Sequence, residues 1–126
     1  MKWYCHIISC LLLTASLSRL APVSALDVAA ALVGSIAPDL IEKSARLKHR
    51  NRAVHNFLTA LAGGGLALLA LPPLAPFWLG YTHHLVLDLT RGGVYAGKRR
   101  VSGPLEAGNP IHNVLVVAIH AIPLLF

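Results

Sequence analysis

Five apolar stretches, separated by proline, glycine and short basic segments, constrain the fold of this chain more than any other feature. They cover residues 3–17, 26–37, 53–71, 74–90 and 110–126. Leucine and alanine dominate them, and none alternates apolar and polar residues with a period of two. The pattern therefore predicts an all-α protein of five helices.

The residues between the stretches predict where the helices begin and end. Pro38 is expected to end the second helix and Pro72-Pro73 the third, because proline lacks the amide hydrogen that a helix interior needs. Gly92-Gly93 follows the fourth stretch. Asn109-Pro110 precedes the fifth, which is typical of an N-cap followed by proline at the first helical position.

The composition predicts that lipid surrounds these helices. Apolar residues make up 56% of the chain and charged residues 13%, and the mean hydropathy is +0.64. Soluble domains average about 25% charged residues. We therefore expect residues 1–126 to form a single membrane-embedded domain, an integral membrane bundle of five short transmembrane helices.

The basic residues predict an orientation for this bundle. The formal net charge is +6, and most lysines and arginines lie in two loops, 43–52 and 91–100. If the helices alternate across a membrane, both loops fall on the same side as Lys2, and Arg19 alone lies opposite. Such a bias predicts a multi-pass protein of the cell membrane with a cytoplasmic N-terminus and an outside C-terminus. The loops would face membrane lipid or an anionic, lipid-linked substrate, and without interleaved aromatic residues they do not favour nucleic acid.

Residues 1–25 have a second interpretation. Lys2, the apolar residues 7–17 and the small residues Val23-Ser24-Ala25 resemble a secretory signal peptide with its cleavage site. Under this alternative His6 would be absent from the mature chain. A first transmembrane helix is the interpretation that we adopt here.

The most informative local motif lies in residues 80–88. His84 and Asp88 are four residues apart, so they share one face of the fourth helix. A polar pair within an apolar helix is costly, and Asp88 lies near a helix C-terminus, where the helix dipole disfavours an anion. A bound cation would offset both costs. The ordinary alternative is a His–Asp hydrogen bond that joins two helices.

Other metal-ligating residue types lie at the same end of the predicted helices. Asp39 follows the second helix and His55 opens the third, so both should lie at the level of His84 and Asp88. Histidine and carboxylate ligands suit zinc, manganese or iron. We therefore predict that these four residues bind a divalent metal. Additional candidates, for which a solvated loop or a packing contact is the ordinary explanation, are His6, His49 and Glu42.

No sequence motif supplies a protein nucleophile. GxSxG, P-loop and HExxH patterns are absent. If the chain is an enzyme, a water activated by the metal is the natural nucleophile. In that case our hypothesis is hydrolysis of an ester or phosphoester.

Three segments in this order resemble a known family. Residues 34–39 contain Pro38-Asp39, residues 48–56 contain His49-Arg50 and His55, and residues 79–94 contain Gly80-Tyr81 and His84 to Asp88. They resemble the PDxD, HRGxTHS and GYxSHxxxDxxTxxGV elements of the YdjM-like, inner-membrane, metal-dependent hydrolases, also described as LexA-binding. The resemblance implies a metal site at Asp39, His55, His84 and Asp88, with His6 in the place of an N-terminal histidine.

The chain departs from the pattern of this family. Ile41 replaces the second PDxD aspartate, and Glu42 follows it. His49 precedes His55 by six residues instead of five. These differences indicate a short, divergent member. They leave two alternatives open: a non-catalytic membrane protein whose basic loops dock a protein partner or anionic lipid, and a small transporter or proton path.

Overall fold

The computed structural model describes residues 3–105 and 109–125, which contain five α-helices and one β-hairpin. The helices are α1 (Trp3–Leu17), α2 (Ala25–Ser44), α3 (Phe57–Ala70), α4 (Ala75–Arg91) and α5 (Pro110–Ala121). The hairpin strands are β1 (Val94–Ala96) and β2 (Arg99–Val101). Short 3₁₀ turns at Pro72–Leu74 and Ile122–Leu124 follow α3 and α5. The expected five helices are therefore present, whereas the hairpin was not predicted.

Helix α2 is longer than its sequence predicts. It begins with a capping box, in which the Ser24 side chain accepts from the Asp27 amide and the Asp27 carboxylate accepts from the Ser24 amide. The helix then continues through Pro38, which is buried, so the prediction that Pro38 ends it is wrong. As a result Asp39 and Glu42 lie on the last turns of a helix, not in a loop.

The segment before α3 is a turn, so His55 does not open the helix as expected. Asn56 is the N-cap, and its side chain accepts a hydrogen bond from the Leu58 amide. The amide of His55 donates to the Asn51 carbonyl oxygen at 2.8 Å, and the Tyr95 amide donates to the His55 carbonyl oxygen at 2.7 Å. The backbone of His55 is therefore held both by its own loop, through Asn51, and by the hairpin, through Tyr95.

Helices α2 and α4 pack backbone to backbone. A Cβ atom at Gly34 would lie 1.9 Å from the Phe77 carbonyl oxygen, and one at Gly80 would lie 1.9 Å from the Ala31 carbonyl oxygen. Only glycine allows this approach. The close contact brings the C-terminal turns of α2 and α4 side by side, and these turns carry the candidate site.

This crossing gives a prediction for stability. Gly80→Ala should lower the free energy of unfolding by about 1–3 kcal/mol, because the new methyl group meets a backbone atom that cannot move aside alone. Gly65→Ala is the matched control, since a Cβ there meets nothing within 4 Å. Urea unfolding measures both variants. Equal stability of the two would contradict the close crossing.

The prediction of a membrane bundle is wrong. Within the described residues no helix is both long and apolar enough to cross a membrane. Helices α1, α3, α4 and α5 have 15, 14, 17 and 12 residues, against roughly 20 for a span. Helix α2 has 20 residues, but every 18-residue window in it contains Asp27, Asp39 and Glu42.

The predictions that depended on spanning helices fail for the same reason. These are the integral membrane fold, the multi-pass location in the cell membrane, and the orientation with a cytoplasmic N-terminus and an outside C-terminus. The transporter alternative also required spanning helices. The hydropathy of whole stretches was misleading because it does not register helix length, and four of the five described helices have fewer than 18 residues.

Candidate metal centre

The four predicted ligands come together from three segments of the chain. Asp39 lies on α2, His55 in the turn before α3, and His84 and Asp88 one turn apart on α4. The Nε2 atoms of His55 and His84 are 3.3 Å apart. Asp88 Oδ2 lies 3.5 Å from His55 Nε2 and 3.8 Å from His84 Nε2.

Asp39 approaches the same two imidazoles. Its Oδ1 atom lies 3.6 Å from His55 Nε2 and 3.8 Å from His84 Nε2. Metal–ligand bonds of about 2.0–2.2 Å place tetrahedral ligand atoms roughly 3.3–3.6 Å apart. Three of the five distances fall in this range, and the two from His84 to the carboxylates, 3.8 Å each, lie slightly above it, which is compatible with a site for one small ion. Asp39 Oδ1 is also buried and has no hydrogen-bond partner among the described residues, so it can still accept one bond.

Both imidazoles are held through their other nitrogen. His55 Nδ1 lies 2.6 Å from Glu42 Oε1, and His84 Nδ1 lies 2.7 Å from the Ser35 carbonyl oxygen. Both partners are acceptors, so each Nδ1 carries the hydrogen and donates it. In the neutral imidazoles, the two Nε2 lone pairs then face each other. A proton or a cation must lie between them, and such outer hydrogen bonds are typical of metal-ligating histidines.

Without a metal, His55 supplies the positive charge. Burial lowers the pKa of His55, but the carboxylates of Asp39, Asp88 and Glu42 beside its ring outweigh burial and raise the pKa to about 9. Burial also opposes ionisation of Asp39 and Asp88, yet His55 and His84 hold both carboxyl pKa values below their usual range. At neutral pH the metal-free centre is therefore an imidazolium between carboxylates.

Glu42 organises the loop that carries His55. It is buried, and Oε1 accepts from the Asn51 amide at 2.5 Å as well as from His55 Nδ1. Oε2 accepts from the Arg50 amide at 2.8 Å and lies 3.3 Å from His49 Nδ1. Each carboxylate oxygen is thus already engaged. The geometry favours an orienting role for Glu42 over the direct ligation that its residue type suggested.

His6 lies against the centre from α1. Its ring stacks on His84 with centroids 3.9 Å apart, and Nε2 lies 3.6 Å from Asp88 Oδ1. Burial, followed by the charge of His84, lowers the pKa of His6 to about 3. Within the described chain neither ring nitrogen has a hydrogen-bond partner. An unsatisfied buried polar group costs about 1–3 kcal/mol, and a ligand bound beside Asp88 would remove that cost.

His49 lies outside the buried cluster. Its side chain is 73% exposed, and its contact in the site is the Glu42 carboxylate. Metal-ligand atoms of Asp39, Glu42 and His49 do lie within 4.8 Å of one another. A second group with the same property is His6, His84 and Asp88, and a third is Asp39, His55 and His84. The two buried groups share His84, which makes this residue the centre of the site.

Sequence reasoning missed two contributions to this centre. The Ser35 carbonyl oxygen orients His84, and a backbone atom leaves no trace in the residue type. Arg50 stood in a basic run that suggested a solvated loop, yet its side chain is 13% exposed and Nε lies 3.8 Å from Asp88 Oδ2. The sequence feature that could have indicated the position of Arg50 is Gly92, because a Cβ atom there would lie 1.7 Å from an Arg50 guanidinium nitrogen.

Comparisons with known proteins identify no relatives of this chain. No family model matches it, and neither a curated protein nor a solved structure is similar to it. The resemblance to the YdjM-like hydrolases therefore stays a prediction. A function for this chain must be inferred from the geometry of the site alone.

Proposed function

We propose that this protein is a metal-dependent hydrolase whose divalent ion is bound by Asp39, His55, His84 and Asp88. One observation carries the proposal. Two buried imidazoles, each fixed through Nδ1–H, direct their Nε2 atoms at each other across 3.3 Å and toward two carboxylates. Two histidines with two carboxylates suit zinc, manganese or iron.

Four protein ligands fill a tetrahedral sphere, so a reactive water would have to take a fifth position, on the one accessible side of the site. His55 and His84 are fully buried and Asp88 is 2% exposed, whereas the Asp39 side chain is 38% exposed. A bound divalent ion would lower the pKa of a coordinated water and polarise an ester or phosphoryl oxygen. Asp39 keeps the approach to this position open, and Glu42 fixes the angle of the His55 ring.

Hydrolysis of model substrates tests the proposal. Metal-free protein, reloaded separately with Zn²⁺, Mn²⁺ or Fe²⁺, is assayed with p-nitrophenyl acetate, p-nitrophenyl phosphate and bis(p-nitrophenyl) phosphate. We expect turnover of at least one substrate with at least one metal, and its loss in His84→Ala. His120→Ala is the matched control, because His120 pairs with His83 away from the centre. No turnover with any metal, or equal turnover in His84→Ala, contradicts the proposal.

Binding of the metal should release a proton. The pKa of His55 is raised to about 9 in the metal-free protein, and a ligating imidazole must lose its Nε2 proton. Apparent affinity should therefore rise with pH up to about 9, by at most about tenfold per pH unit. Calorimetry at pH 7.5 in two buffers of different ionisation enthalpy measures the proton count. Release of close to zero protons per metal ion at this pH would mean that the metal does not replace the His55 proton.

The charged state of His55 favours a second candidate, a non-catalytic protein. Here the imidazolium with Asp39, Asp88 and Glu42 would stabilise the fold, and the basic loop 43–52 would dock an acidic partner. The raised pKa implies a stabilisation that is complete below pH 6.5, the unfolded value, and lost as pH rises through about 9. This candidate predicts that added metal leaves the unfolding temperature unchanged, whereas the hydrolase proposal predicts an increase.

A further inference from the structure

The accessible edge of the centre opens into a small pocket. Asp39 is the most exposed of the four proposed ligands and lines a pocket of about 250 Å³. The other lining residues are Glu42, Lys43, Leu47 and His49. Because His55, His84 and Asp88 are almost completely buried, a reactant reaches the ion along Asp39, through this pocket.

The pocket offers one ammonium group and an imidazole beside the carboxylates of Asp39 and Glu42. Both oxygens of Glu42 already accept from the loop and from the two histidines, so Glu42 is engaged with the loop and not with a ligand in the pocket. Lys43 is exposed, lines the pocket and carries an ammonium group. The ring of His49 is held at the pocket by Nδ1, 3.3 Å from Glu42 Oε2. A lysine ammonium binds phosphoryl oxygens as a point charge.

The size and surroundings of the pocket point to the same substrate class. Pockets for drug-sized ligands have volumes of roughly 300–1,000 Å³, so this pocket accommodates a phosphoryl group with a short substituent. Exposed basic residues on the loop that follows α2 raise the local concentration of anions at its mouth. They are Arg46, Lys48 and Arg52. A neutral carboxyl ester lacks the negative charge that Lys43 would attract.

We infer that this pocket binds the phosphoryl group of a phosphate ester, with one oxygen toward the ion and another on Lys43, beside His49. The inference rests on the proposed function and narrows its substrate to phosphate esters. In the hydrolysis, the oxygen of water forms a bond to phosphorus while the bond to the alcohol oxygen breaks. That oxygen keeps the electron pair and takes up a proton from the water, so the products are an alcohol and phosphate.

Binding of inorganic phosphate tests the inference. Calorimetry on the zinc-loaded protein compares wild type with Lys43→Gln, and with Lys48→Gln as a control that removes the same charge from the loop after α2, outside the pocket. We expect Lys43→Gln to weaken binding about tenfold, which is typical of a lost charged hydrogen bond, and Lys43→Arg to retain most of it. Lys48→Gln should stay within about twofold of wild type. Equal losses in both glutamine variants would overturn the pocket assignment.

The result remains separable from the proposed function. Zinc binding is measured on the same samples, and Lys43 is exposed, so its variants should fold like wild type. If zinc binds and requires His84, but phosphate does not bind or does not depend on Lys43, the pocket inference fails and the hydrolase proposal stands. If wild type binds no metal, both fail. A further readout is the KM for p-nitrophenyl phosphate, which should rise in Lys43→Gln and stay near the wild-type value in Lys48→Gln.

Discussion

His84→Ala should weaken binding of zinc or manganese by about 100-fold or more. Loss of an outer hydrogen bond alone typically costs 10–100-fold in metal affinity, and this variant removes a ligand. His84 is also common to the two buried groups of metal-ligating side chains. Calorimetry or competition with a chelating dye measures the loss. His120→Ala, a histidine variant with its own hydrogen-bond partners, should bind the metal like wild type.

A second variant separates ligation from folding. His84 is buried and its ring donates to the Ser35 carbonyl oxygen, so alanine also leaves a cavity. Asp88→Asn keeps the shape of the side chain but removes its charge. It should also reduce metal affinity strongly while the metal-free protein stays folded by circular dichroism. Wild-type affinity in both folded variants would show that the metal, if bound, lies elsewhere.

Glu42→Ala should lower the free energy of unfolding by about 3–5 kcal/mol, as is usual when one partner of a buried ion pair is removed. The Glu42 carboxylate accepts from the Arg50 and Asn51 amides and from His55 Nδ1, and all three donors would lose it at once. The turn that carries His55 would then lose its anchor on α2. Urea unfolding of the metal-free protein measures this change.

Substitution of Glu42 should also change the affinity of the protein for the metal. Glu42 fixes the tautomer of His55, so Glu42→Gln, which preserves size but weakens the hydrogen bond, should reduce affinity about 10–100-fold. Asp27→Asn is the control, because it also replaces a carboxylate by an amide on α2, but on the first turn of the helix and far from the centre. Wild-type affinity in Glu42→Gln would show that this carboxylate stabilises the loop without orienting the ligand.

The sequence predicted the helices well where local signals decide. Helix α1 has the predicted bounds, and Asn109-Pro110 begins α5 as expected. The predictions from the sequence failed where tertiary contacts determine the local structure. Pro38 lies buried inside α2 instead of ending it, and the three-residue strands of the hairpin are too short to show a period in the sequence.

In the candidate site, too, local sequence signals predicted some features, whereas others depend on tertiary contacts. The spacing of His84 and Asp88 predicted a shared helix face, and the structure also brings Asp39 and His55 to that face. Their role as ligands stays a prediction. The orienting acceptors could not be read from the sequence, because Ser35 acts through its backbone and Glu42 becomes buried only when the loop folds over it. Hydropathy failed for the membrane because it counts apolar residues without regard to helix length.

X-ray absorption spectroscopy of the zinc-loaded protein tests the proposed metal centre most directly. We predict one tightly bound zinc per chain, with two imidazole ligands and a shell of nitrogen and oxygen atoms at about 2.0–2.1 Å. One imidazole should disappear from the spectrum in any zinc that His84→Ala retains. A wild-type spectrum without imidazole scattering, or one that is unchanged in His84→Ala, would contradict a metal centre built on His55 and His84.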